Sequence, residues 1–206
     1  RRTAISARPA ANDLATLYAC DALDGKVVAG ELVREACRRH LRDLDSGAAR
    51  GLAFNAAKAK RHCGFFPAVL TVTEGIAAGL PFTLLPWHGF VIACLYGWER
   101  SDGLRRFRMA WLETGKGQAK SPLMAGIGID MMGFAGKDRS EVYAIAGDKD
   151  QANVLFRDAV AMCRANLPGR AADEFESLES LGDVVIRGTG DLAHKIEHPA
   201  TSSKFM

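Results

Sequence analysis

The sequence predicts an α/β fold: a parallel sheet flanked by helices, preceded by an N-terminal helical segment. Three observations carry this. Amphipathic periodicity fills the first ~45 residues without any strand pattern. Strand and helix patterns then alternate from "RRFRMAWLE" (105–113) to Leu167, the order of a βαβα unit. Finally, "EVYAIAG" (141–147) is apolar nearly throughout, as expected of a parallel strand covered on both faces. With 206 residues and 48% hydrophobic content the chain can bury a substantial core, and it divides most naturally into a helical segment, 1–65, and an α/β core, 66–206.

The elements follow in order. Asn12 or Asp13 is placed to cap a first short helix. From Val27 to Asp45, Leu32, Val33, Ala36, Cys37, Leu41 and Leu44 recur at three- and four-residue steps, with Arg34, Arg38, Arg39 and Arg42 between them, and "DSGAARG" closes this second helix. A third helix is expected near 54–62, followed by a loop punctuated by Gly and Pro. Pro86 suits the first position of a fourth helix that carries Trp87, Phe90, Val91, Cys94, Leu95 and Trp98 on a wide apolar face. "SDG" turns the chain into the strand "RRFRMAWLE", and another helix runs from Lys120 to about Met132. After the strand 141–147, Asp148 is positioned as an N-cap for a helix whose buried stripe is Ala152, Leu155, Phe156, Ala159, Cys163 and Leu167, ended by Pro168-Gly169. The remainder reads as two or three short strands with turns at Gly182 and "GTG".

Composition excludes several classes. A net charge of +3 is too mild to mark a nucleic-acid binder by itself, so any basic signal must be local. Five dispersed cysteines without a C-x-x-C pair argue against a disulfide framework and a zinc knuckle, and point to the cytoplasm. No apolar run reaches the ~18 residues of a membrane span, so no membrane association is expected.

The chemistry concentrates at "ETGKGQAKSP", 113–122. A nucleotide-binding P-loop needs backbone N–H groups turned into a concavity, a lysine for the phosphates, a hydroxyl directly after it for magnesium, and a following helix N-terminus. Lys120-Ser121 supplies the lysine and the hydroxyl, but the G-x-x-x-x-G-K-[ST] pattern calls for glycine where this chain has Thr114 and Ala119. Gly115 and Gly117 can allow the backbone to approach phosphate from shifted positions, provided that Ala119 tolerates the dihedral of the missing glycine. Taken locally, a phosphate cradle and a plain loop lysine both remain open.

The surrounding motifs resemble the ATPase half of the large terminase subunits of tailed bacteriophages. They are Pro86-Trp87, Gly97-Trp98, Asp102-Gly103 with Arg105-Arg106-Phe107, Lys116 to Ser121, Val142-Tyr143 with Ala146, and Gln151-Ala152, with weaker echoes in "RHLRDL" and "VVIRGTG". The resemblance implies a P-loop NTPase-like fold that binds ATP and Mg2+. Gly115, Lys116, Gly117, Gln118, Ala119 and Lys120 would hold the phosphates, Ser121 would ligate the metal, and Trp87 and His88 would border the base. Lys116 stands where the family often has an arginine reaching the γ-phosphate, and His88 where it has an adenine-recognising glutamine. The resemblance further implies a motor translocating double-stranded DNA in the cytoplasm of a bacterial host. Its partners would be a small terminase subunit, a portal ring and further copies of itself. The family's adjacent Asp-Glu pair on an apolar strand has no counterpart after Met132, since Asp173-Glu174 follows "PGRAA". The expectation is therefore a chain cut before that strand and the nuclease domain, weakly active or inactive as an ATPase.

Other candidates are weaker. His194 and His198 lack a third metal ligand of suitable spacing, and read as polar residues on an exposed strand and loop. His62-Cys63 point apart on a helix and have no orienting acid. Arg105, Arg106 and Arg108 either meet DNA phosphate or a neighbouring subunit, or flank a strand and pair with Glu99 or Asp102. Two overall readings result: the nucleotide-binding part of a packaging ATPase, and a non-catalytic α/β interaction module, a decayed prophage product that no longer binds nucleotide.

Overall fold

The computed structural model of the chain describes residues 13–170 and 173–206. They form a mixed α/β structure of two compact units, each discontinuous in sequence: residues up to Cys63 with Leu84–Trp111, and Gly64–Thr83 with Leu112–Met206. The first division falls inside a helix.

The first unit holds α1 (Leu14–Leu23), α2 (Glu31–Ser46), β1 (Leu52–Phe54), the start of α3 (Ala56–Val69), α4 (Pro86–Gly97) and β2 (Trp98–Arg100). Asp13 caps α1, its Oδ1 accepting from the backbone N–H of Ala15 and of Thr16, both at 3.0 Å. Asn12, the other expected cap, lies outside the described residues. The predicted arginine-lined helix is α2, though it starts at Glu31 rather than Val27 because Gly30 provides its extended N-cap. Helix α1 buries Ala15, Ala19 and Ala22, small residues that let it lie closely on α2 and α4. Pro86 opens α4 as expected. Strands β1 and β2 pair antiparallel, Ala53 opposite Glu99. Trp98, expected on the face of the fourth helix, instead opens β2 and is among the largest fully buried side chains.

The second unit holds the end of α3, α5 (Lys120–Ile129), β3 (Glu141–Val142), α6 (Lys149–Arg164), β4 (Val185–Arg187), β5 (Lys195–His198) and β6 (Ser203–Phe205). Its sheet has the order β3-β6-β5-β4, with β3 parallel to β6 and the other pairs antiparallel. Asp148 caps α6 by accepting from Gln151 N–H at 2.9 Å, and Phe156, Ala159 and Cys163 are buried along it as predicted. Phe205 packs edge-on against Phe156, their centroids 5.6 Å apart.

Several expectations are corrected. The segment 105–113 forms no strand: it makes one bridge, Glu99 to Arg105, and then runs unpaired with Met109 and Trp111 87% and 88% exposed. Strand propensity and alternation do not suffice without a neighbouring strand to pair with. Among the described residues the segment 141–147 pairs on one side, continued by Ala144 N–H donating to Met206 O at 2.7 Å, with Ile145 88% exposed. It is an edge, not a strand covered on both faces. Helix α3 continues to Val69 through Pro67, because burial of Phe65, Phe66 and Leu70 outweighs the lost backbone bond. Helix α5 gives way at Asp130 to a π-turn, Asp130–Phe134. His198, read as exposed, is buried, because burial alternates along β5 and puts Ile196 and His198 on the inner face.

Candidate phosphate-binding site

The loop from Thr114 to Ala119 and the start of α5 belong to the second unit. The backbone turns at Lys116-Gly117, where Gly117 has φ +82°, and enters the helix through Ala119 at φ +53°, ψ +33°. Alanine thus occupies, at a position where the pattern has glycine, a left-handed conformation that glycine adopts freely, at a cost of roughly 1–2 kcal/mol. A Cβ at Gly115 or Gly117 would meet nothing within 4 Å, so Gly117 is required by its dihedral and not by packing.

Ala119 is the N-cap of α5 and offers no side-chain cap; Lys120, Ser121 and Pro122 form the first helical turn. Pro122 has no N–H, which leaves those of Lys120 and Ser121 as the helix's own donors there. The side chains of Lys116, Gln118 and Lys120 are exposed and Ser121 is half-buried. Among the described residues no ion pair involves Lys116 or Lys120. Two ammonium groups, uncapped amides, the positive helix end and a hydroxyl therefore gather within six residues, a constellation suited to a multiply charged anion.

Helix α5 is fixed by close approach. A Cβ at Gly126 would stand 2.5 Å from Phe66 Cε1 and 2.8 Å from Leu70 Cδ1, and one at Gly128 would stand 2.5 Å from Phe205 Cε1. The absent side chains let α3 and β6 touch the helix backbone, so the loop is carried on a closely packed helix.

Trp87 and His88 lie in the first unit. Trp87 is half-buried, with its ring edge-on to His88 at 4.2 Å. His88 is buried and its Nδ1 accepts from Leu85 N–H at 3.2 Å, which places its proton on Nε2 and ties the ring to the start of α4.

The three candidate arginines diverge. Arg106 pairs with Asp43 and lies over the Trp98 and Phe107 rings, at 5.3 and 4.9 Å. The Asp43 side chain is 1% exposed and also receives Arg50. Burial works to raise its pKa, but the hydrogen bonds from Arg50 and Arg106 outweigh that and lower it. Arg106 is thus built into the first unit. Arg105 and Arg108 stay exposed, Arg105 lying 5.9 Å over Tyr96. The expected acids are engaged elsewhere, Glu99 with Lys58 and Asp102 with Arg100.

Sequence reasoning missed His40. Trp98 Nε1–H donates to its Nδ1 at 3.0 Å, so Nε2 carries the proton and donates to Thr16 Oγ1 at 3.1 Å, which donates in turn to Asp13 Oδ2 at 2.7 Å. Burial holds the imidazole down to about 4. Its partners are 24 and 58 residues away, beyond any local pattern.

This geometry defines a mixed α/β protein with an anion-ready loop at a helix N-terminus. Residues 86–178 match the family described as "Terminase large subunit, ATPase domain", so over that stretch the resemblance read from the motifs is borne out. Among solved structures, the large terminase of bacteriophage HK97 is similar, with 20% identity and a TM-score of 0.53 over 72% of this chain. That similarity establishes shared fold, and the aligned part is 26% of the HK97 protein, so this chain spans about a quarter of its length. A comparison with curated proteins gives no match.

Proposed function

We propose that the chain is the nucleotide-binding portion of a DNA-packaging ATPase. The observation that supports this is Ala119: directly before Lys120-Ser121, where the pattern has glycine, its backbone takes the left-handed conformation open to glycine. In this reading the N–H groups from Gly115 to Ser121 and the Lys120 ammonium hold the β- and γ-phosphates of ATP. Lys116 lies over the γ-phosphate as a point charge, without the bidentate fork of arginine. Ser121 is the residue that would hold Mg2+, which when bound neutralises charge on the transferring phosphoryl group.

In the same reading 141–147 belongs to a P-loop-like parallel sheet, and Tyr143 and Ile145, exposed apolar residues two apart, support it. Hydrolysis coupled to double-stranded DNA translocation, with a small terminase subunit, a portal ring and further copies as partners in the cytoplasm of the bacterial host, is the role of the assembled protein.

Calorimetric titration of a non-hydrolysable ATP analogue with Mg2+, beside Lys120→Ala, tests the site. An affinity drop of tenfold or more, about 1.4 kcal/mol, is expected. Equal binding by both proteins moves the site elsewhere, and binding by neither favours the non-catalytic module.

A further inference from the structure

The helix that begins at the phosphate loop ends in an unusual way. Its last turn, Asp130–Phe134, is π-helical, and Asp130 and Met132 are buried within it. Such turns hold one residue more than an α-turn and are found mostly where function requires them.

The turn is held by the end of β5. A Cβ at Gly133 would stand 2.5 Å from His198 Cδ2 and 2.6 Å from Cγ, so the imidazole occupies the space that a side chain would fill. His198 also meets Phe134 edge-on, at 5.2 Å. Its Nδ1 lies 2.9 Å from Thr201 Oγ1, which donates to Ser203 Oγ at 2.9 Å, and that oxygen accepts Ser140 N–H, also at 2.9 Å. His198 therefore joins the π-turn to two turns, around 137–140 and 199–203. These are bonded to each other by Arg139 N–H to Thr201 O at 2.8 Å and Lys204 N–H to Ser140 O at 2.9 Å.

Among the described residues three non-glycine residues are left-handed: Ala119, Arg139 and Ser202. Ala119 opens α5, and the other two sit in the bonded turns beyond its π-turn. Strain of this kind persists only where surrounding structure imposes it, and it gathers at sites that switch. Between the two ends Phe66, Leu70 and Phe205 lie on the helix backbone at Gly126 and Gly128, so a displacement at the loop is carried along α5 as one body and not taken up by bending. Ten residues of α-helix form a stiff lever of about 15 Å.

We infer that α5 and its π-turn form a conformational relay. Occupancy of the phosphate loop shifts the helix, the π-turn changes its register against His198, and the paired turns that fix β6 to β3 respond. His198 is a positioning residue in this relay. The inference rests on the phosphate-site reading of the loop.

Amide hydrogen exchange on the full chain, with and without the Mg2+–ATP analogue, tests both and separates them. Expected in the unsubstituted protein is slowed exchange at 115–123 together with a change of about tenfold at 137–142 and 199–206. His198→Ala and, independently, Thr201→Val should keep analogue affinity within about twofold while the distal change disappears. Protection at 115–123 with unchanged distal amides overturns the relay and leaves the phosphate site standing. A distal change that persists in both variants overturns the role of His198. No protection anywhere overturns the phosphate reading, and the relay with it.

Discussion

Replacing Ala119 with glycine tests the loop at its most informative atom. At φ +53° an alanine is strained by roughly 1–2 kcal/mol, which glycine removes. Glycine also enlarges the conformational freedom of the unfolded chain, which offsets about 0.4–1 kcal/mol. The difference leaves Ala119→Gly neutral to stabilising by about 1.5 kcal/mol, or up to ~6 °C in a chain of this size. Thermal unfolding followed by circular dichroism reads it directly. The sign is decisive, because an alanine in ordinary helical or extended backbone would lose roughly 0.5–1 kcal/mol on the same change. A clear fall in stability would refute the left-handed turn and the P-loop geometry inferred from it. Gly117→Ala is the converse: at φ +82° with open space around its Cβ, its cost is purely conformational.

Other consequences follow from packing and charge. His40 is held down to about 4 by burial, so its folded pKa lies below the unfolded value near 6.5. The unfolded chain binds the extra proton between these values; the stabilisation is complete above pH 6.5 and is lost as pH falls towards 4, about 2 kcal/mol between pH 7 and 5. Urea denaturation at the two pH values should show that loss, and His40→Gln should flatten it. Asp43→Asn leaves Arg106, which is 16% exposed, without its carboxylate, and should cost about 3 kcal/mol in the same assay. A cost near zero would show that Arg106 finds solvent or another acid. Gly128→Ala drives a methyl against Phe205 and should destabilise by roughly 1–3 kcal/mol, with Phe205→Leu partly relieving it. Additive effects of the two changes would deny the contact.

What could be read in the sequence was what neighbours in the chain decide. Helix α2 announced itself through its three- and four-residue spacing, Asp13 and Asp148 through capping chemistry, and Pro86 through its fixed φ. The loop at 113–122 drew attention through its Lys-Ser pair, but the sequence left the dihedral at Ala119 open, and its left-handed φ is visible only in the structure. Long-range choices were not readable. Asp43 binds Arg106, 63 residues away, and not one of the four arginines on its own helix.

The segment 107–113 shows the same limit from the other side. Its alternation is legible in the sequence, but the structure leaves Arg108 to Trp111 exposed without a break, so no face is selected there. A strand, however, is a relation between segments: each residue contributes backbone donors and acceptors that only a partner strand satisfies in register, and an isolated one gains too little to hold its dihedrals against chain entropy. Tyr143 and Ile145, exposed two residues apart, follow β3, which is bonded to β6. Propensity proposes a strand at both places, and pairing grants it where β6 supplies a backbone. The sequence pattern therefore describes the sheet these segments are suited to enter, whereas the structure records which of their bonds the described residues can make.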